Sequence, residues 1–172
     1  VWEGIKRGWA RMRGKPDPAA VVIGVLPLYH VYGITSVLNV SFFLGLTVEL
    51  FTQFDPEKVI DVCEKEAQTI LFAVPTMYNR LIQSAEKSAP QNPSLKFCVS
   101  GGASLPVEFM HRFESLFKTK IYEGYGLTEA PVCVENPYGG MTKPGSIGLP
   151  ITEFSARIVN ENGEPVRPGA SG

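Results

Sequence analysis

Leu95-Lys96-Phe97-Cys98-Val99, the loop Ser100-Gly101-Gly102-Ala103-Ser104, the run from Pro106 to Phe117, and then Lys120-Ile121-Tyr122-Glu123 form the stretch that decides the fold. The first five residues are a short, largely apolar run of strand length. Pro106 suits the first turn of a helix, and Val107, Met110, Phe113 and Phe117 recur at helical spacing on one face. Lys120 to Glu123 extends again. A strand, a glycine-bearing loop, a helix of roughly ten residues and a second strand make a crossover unit, whose strands lie parallel.

The same alternation continues upstream. Val21 to Leu26 is a β-branched run bounded by prolines, and Tyr32 to Leu44 carries helical apolar spacing. Thr47 to Phe51 is the next strand; Asp55 is an N-cap and Pro56 the first residue of a helix that turns Val59, Ile60 and Cys63 inward. Thr69 to Val74 returns to strand, Pro75 to Ala85 is a helix with Met77, Leu81 and Ile82 inward, and Ser88 to Pro93 is a surface loop. The expected fold class is therefore α/β, a mainly parallel sheet flanked by helices. After Pro150 the pattern changes: Phe154 to Val159, the turn Asn160-Glu161-Asn162-Gly163 and Glu164 to Val166 predict a hairpin that opens a β-rich subdomain. The expected divisions are an N-terminal segment over 1–17, the α/β part over 18–150, and the start of the β-subdomain over 151–172.

Composition narrows the class. Of 172 residues 44% are hydrophobic and 19% charged, which suits a buried core and argues against disorder. Sixteen basic residues against seventeen acidic ones give no overall pull toward nucleic acid. Ala19 to Val48 contains no charged residue, but Pro27, His30, Gly33, Asn39 and Ser41 break it into pieces too short and polar to cross roughly 30 Å of hydrocarbon. Val1 to Lys15 sets Trp2 and Trp9 among Lys6, Arg7, Arg11 and Arg13, as a helix on a membrane surface would; a solvated helix with its tryptophans tucked in is the commoner arrangement. Cys63, Cys98 and Cys133 lie far apart with no metal-ligand spacing, and nothing resembles a signal peptide. The expectation is a cytoplasmic protein with reduced thiols and no transmembrane segment, with peripheral membrane contact left open.

In open α/β sheets ligands bind beyond the carboxyl ends of the strands, which singles out three loops. Leu26 to Gly33 sets Tyr29 and His30 after a buried strand; a lone histidine there serves equally as a helix cap. Ser100 to Ser104 has small residues that let a flat ligand meet the backbone, although glycines also serve simply as turn formers. Tyr122 to Glu129 joins four functions. Gly124 and Gly126 flank Tyr125 and would allow unusual backbone angles that present its ring to a planar base, a contact of roughly 1–3 kcal/mol. Thr128 offers a hydroxyl to a phosphate, and Glu129 a hard oxygen of the kind Mg²⁺ accepts beside nucleotide phosphates. Singly, Tyr125 would be a packing aromatic and Glu129 a surface acid; their spacing favours a site.

Leu26-Pro27-Leu28-Tyr29-His30, Ser100-Gly101-Gly102-Ala103, Tyr125-Gly126-Leu127-Thr128-Glu129 and Gly145-Ser146-Ile147-Gly148-Leu149-Pro150 stand in the order seen in adenylate-forming enzymes, and the chain resembles that superfamily from about Pro18 onward. Asn136-Pro137-Tyr138, Lys143 to Pro150 and Gly163 to Gly172 resemble most the long-chain fatty-acid–CoA ligases, as an internal piece of their N-terminal domain. The resemblance implies that ATP, Mg²⁺, coenzyme A and a fatty acid are the ligands. It implies Gly102 and Ala103 at the adenine, Tyr125 stacked on the base, Thr128 on a phosphate, Glu129 on Mg²⁺ and His30 beside the reacting carboxylate. Gly101, Gly124, Gly126 and the loop from Ser146 to Gly148 would line the nucleotide and acyl pockets.

The implied reaction is formation of acyl-AMP followed by acyl transfer to the thiol of coenzyme A. The family's phosphate loop would lie before Val1, and its ribose-binding aspartate and catalytic lysine after Gly172. The 172 residues alone are accordingly expected to form no acyl-AMP at a useful rate. Two rivals stay open: an enzyme that loads an aryl or amino acid onto a carrier protein, and a non-catalytic nucleotide-binding module. Val31, Ile34 and Phe72 suit a hydrocarbon tail and favour the fatty acid.

Overall fold

The structure, a computed structural model, describes residues 19–90, 93–137, 140–151 and 154–172. The expected helix from Val1 to Lys15 and Tyr138 lie outside the described residues. Strands β1 (Val21–Gly24), β2 (Thr47–Leu50), β3 (Thr69–Ala73), β4 (Leu95–Ser100), β5 (Ile121–Tyr125), β6 (Val134–Glu135) and β7 (Leu149–Pro150) form one sheet in the order β2-β1-β3-β4-β5-β6-β7. The first five are parallel, and β6 and β7 add antiparallel. β1 ends two residues earlier than its apolar run because the Val25 amide turns back to the Ile23 carbonyl at 3.2 Å.

Alternation along the strands builds two cores. Ile23, Leu71, Cys98 and Ile121 face one side, where they meet α2 (Pro56–Lys65), α3 (Pro75–Ser88) and α4 (Val107–Phe117). Val22, Ile70 and Phe72 face the other and pack with Leu26 and Val37 of the segment after β1. That segment is helical from Val31; its turns widen into a π-helix over Gly33–Asn39, continue as α1 (Val40–Leu44), and stop at left-handed Gly45. Asp55 caps α2 by accepting from the amides of Glu57 at 3.1 Å and Lys58 at 3.4 Å, with Pro56 in the first turn as the spacing predicts. Tyr78 packs edge-on to Phe113, which stacks on Phe117 at 4.4 Å; burial of each such ring contributes about 1.5–3 kcal/mol.

Two packing expectations change. Val107 is 38% exposed, and Leu105, just before α4, takes the buried place above Met110, Phe113 and Phe117. Phe72 is a core residue held edge-on between Tyr32 and Phe97 rather than an exposed side chain. The hairpin near the C-terminal end forms at its turn, where Asn160 Oδ1 accepts from the Asn162 and Glu164 amides, each at 3.0 Å. Its ladder is a single bridge, Val159 to Pro165, since proline brings no amide to extend it. Burial pushes the Cys63 thiol up to about 12 and raises that of Cys98 as well, so both are inert core thiols. No helix among the described residues is long and apolar enough to cross a membrane.

Candidate nucleotide site

The three singled-out loops leave the same edge of the sheet, at the carboxyl ends of β1, β4 and β5. After β1 the chain turns at Pro27, whose carbonyl accepts the His30 amide at 3.1 Å. His30 Nδ1 then accepts the Tyr32 amide at 3.1 Å, and its carbonyl accepts the Ile34 amide at 3.0 Å. His30 thus caps the helix that begins at Val31, and the cap selects the tautomer: Nδ1 holds the lone pair and Nε2 carries the proton of the neutral ring. The capping and site readings are compatible, since the imidazole stays exposed at the ligand edge.

Tyr32 joins the first loop to the second. Its hydroxyl donates to the Val99 carbonyl at 3.0 Å, and Tyr78 donates to the same carbonyl at 2.9 Å. Two phenols, from helices on opposite faces, therefore pin the end of β4. Beyond it, Gly102 adopts φ +79°, and a Cβ there would meet only the Val74 side chain at 3.5 Å. The left-handed angle, not crowding, calls for glycine. Gly102 and Ala103 are exposed, while Gly101 lies between the Tyr32 ring and Gly124, its Cβ direction 3.2 Å from the ring and 3.5 Å from the Gly124 carbonyl.

The third loop is shorter than expected. Tyr122 to Tyr125 belong to β5, held extended by β4 through Ser100 and by β6 through Val134 and Glu135. Neither Gly124 nor Gly126 has a positive φ, so the expected unusual angles are absent. Gly126 is needed for space instead: a Cβ would stand 2.0 Å from the Pro131 carbonyl oxygen. Gly124 is not so constrained, its Cβ direction meeting nothing nearer than 3.7 Å.

Leu127 and Ala130 exchange both amide-to-carbonyl bonds, at 2.8 and 3.1 Å, which makes Thr128 and Glu129 the two central residues of a tight turn. Both are exposed, and Tyr125, 44% exposed, stands at the strand end that feeds the turn. By alternation Tyr125 shares a face with Glu123, whose carboxylate receives the Leu105 amide at 3.3 Å. The Gly101–Leu105 loop ends over this face, where the Leu105 amide meets Glu123. His30 leaves the same edge three strands away and hydrogen-bonds within its own turn. Among the described residues no group of three or more acids, histidines or cysteines could hold a metal, so Glu129 would act singly.

The family model described as AMP-binding enzyme matches residues 4–172. The chain belongs to that family. A long-chain-fatty-acid–CoA ligase of Bacillus subtilis (strain 168) is 40% identical over 154 residues, covering 88% of this chain and 28% of that protein. The mitochondrial malonate–CoA ligase ACSF3 of Mus musculus is 29% identical over 182 residues, 98% of this chain and 30% of that protein. ATP-bound MatB of Rhodopseudomonas palustris superposes with a TM-score of 0.81 at 29% identity, covering 98% of this chain and 32% of that one. The chain spans less than a third of the length of each of these relatives.

Two residues of this AMP-binding chain escape the motif reading. Tyr32 signals itself only by following His30 by two. Glu123 is 4% exposed; burial raises its pKa, against the pull of the Leu105 and Gly145 amides that face it. Its signal was parity: an acid two residues after buried Ile121 on one strand must point into the same core.

Proposed function

We propose that the chain is the nucleotide- and acid-binding part of an AMP-forming acid–CoA ligase, with a long-chain fatty acid as the acid. One observation supports the reading: in a chain of the AMP-binding family, exposed Gly102 and Ala103 follow β4, and exposed Tyr125, Thr128 and Glu129 lie at the end of its neighbour β5, at the same end of the sheet. Tyr125 stacks on adenine, Gly102 and Ala103 give the base a backbone-lined wall, and Thr128 donates to a phosphate oxygen. A single exposed carboxylate is what Mg²⁺ uses when phosphate oxygens and water complete its octahedron, so Glu129 fits that ion. Mg²⁺ would supply charge neutralisation at the phosphates.

The carboxylate oxygen of the acid attacks the α-phosphorus of ATP. The bond to the bridging oxygen breaks, and pyrophosphate leaves with the electron pair. The thiol sulfur of coenzyme A then attacks the acyl carbon, AMP departs, and the thiol proton passes to solvent. The acid is already a nucleophile, so these residues align reactants and stabilise growing charge; His30, with its proton held on Nε2, donates toward the reacting carboxylate. The relative named for long-chain fatty acids, together with exposed Ile34 and half-buried Val31 beside His30, favours an apolar tail.

A malonate–CoA ligase also matches over nearly all of the chain, which makes a short dicarboxylate the second reading. Acid-dependent pyrophosphate exchange by the full-length protein separates them: palmitate should support exchange at a kcat/KM at least about tenfold above malonate or benzoate. Preference for malonate overturns the long-chain assignment and leaves the ligase intact.

A further inference from the structure

Glu123 lies beneath the proposed site rather than in it. Its Oε1 accepts the amide of Leu105, at the far end of the loop after β4, at 3.3 Å. The Glu123 carbonyl receives both the backbone amide of Asn136, at 3.0 Å, and its side-chain amide, at 3.3 Å. Asn136, itself buried, spans on with Nδ2 to the Ser146 carbonyl at 2.6 Å. The loop is seated so closely that a Cβ on Gly148 would stand 2.1 Å from the Glu135 carbonyl. One residue of β5 thereby links the loop after β4, strand β6 and the loop before β7.

We propose that Glu123 is a positioning residue: its carboxylate holds the Leu105 amide at the end of the loop 101–105, while its carbonyl, through Asn136, ties that loop's neighbour β5 to the loop 143–148. A core acid is a costly way to fill a place that leucine could fill, and it persists only where its oxygens do something an apolar chain cannot. Here Oε1 receives a backbone donor from the loop after β4. The remaining capacity is visible too. Glu123 Oε2 and Ser100 Oγ are both buried without a hydrogen-bond partner among the described residues, and the two residues are register partners on adjacent strands, with side chains on one face. A glutamine at 123 retains the acceptor for Leu105 and turns a donor toward Ser100, so it should preserve the clamp.

The test uses amide hydrogen exchange on the full-length protein and its Glu123→Ala, Glu123→Met and Glu123→Gln variants, with KM for ATP and kcat measured in parallel. Removal of the acceptor should speed exchange of 101–106 by about tenfold, leave α2 unchanged, and raise KM for ATP by about tenfold with kcat moving far less. E123Q should stay near wild type in each respect. E123M fills the space without accepting, so it reads the clamp even if the cavity in E123A unfolds the protein. Wild-type exchange of 101–106 in E123M overturns the proposal. The KM readout rests on the ligase reading; the exchange readout does not, so a protein that activates no acid sinks that reading while exchange still decides on Glu123.

Discussion

Gly124 and Gly126 look equivalent on either side of Tyr125, and the structure separates them. Gly126→Ala forces a methyl group to within 2.0 Å of the Pro131 carbonyl and should cost about 3 kcal/mol or reshape the hairpin, whereas Gly124→Ala, with 3.7 Å of room, should cost less than about 1 kcal/mol. Urea denaturation of the two variants measures the difference; equal costs would contradict the packing at Pro131. Which glycine matters was not legible in the sequence, because the crowding atom belongs to a residue five positions on that only the turn brings back. That Thr128 and Glu129 share one turn was legible, since neighbours in a short glycine-led loop need no tertiary knowledge to assemble. Glu123 was hidden for the opposite reason: its partners, Leu105 and Asn136, lie far from it on either side in sequence.

Among the elements, β4 shows how the ligand edge is stiffened. Tyr32 and Tyr78 both donate to the Val99 carbonyl, so Tyr32→Phe and Tyr78→Phe should each lose about 1 kcal/mol of stability, and the double variant should also loosen the loop at Gly101 and Gly102. Thermal unfolding of the three variants checks this, and unchanged melting in both singles would remove the pin. The strands and helices themselves were readable from periodicity and caps: Asp55-Pro56 opens α2 where expected, and β3, β4 and α4 fall close to their apolar runs. The π-helical turns over Gly33–Asn39 were not, because an apolar pattern reports which face is buried and not how wide each turn is. The extension of β5 through Tyr125 depends on pairing with β6, which no local pattern reveals.

The core keeps two thiols, Cys63 and Cys98, and two phenols, Tyr32 and Tyr78, protonated. Burial holds Cys63 near 12 and lifts Cys98, Tyr32 and Tyr78 in the same direction. Each unfolded group ionises at its ordinary value while the folded one cannot, so their stabilising share is complete below about pH 8.5 and declines as pH rises toward 12. Denaturant midpoints should therefore fall steeply above about pH 9, and a flat profile to pH 11 would contradict the buried thiols. Below that range the decisive question is the hairpin after β5. The most direct measurement is pyrophosphate exchange by the full-length protein with palmitate, with and without Mg²⁺, in wild type and Glu129→Ala. The account predicts Mg²⁺-dependent exchange that falls by about a hundredfold or more in the variant while its unfolding midpoint stays the same; exchange by E129A at the wild-type rate would contradict it.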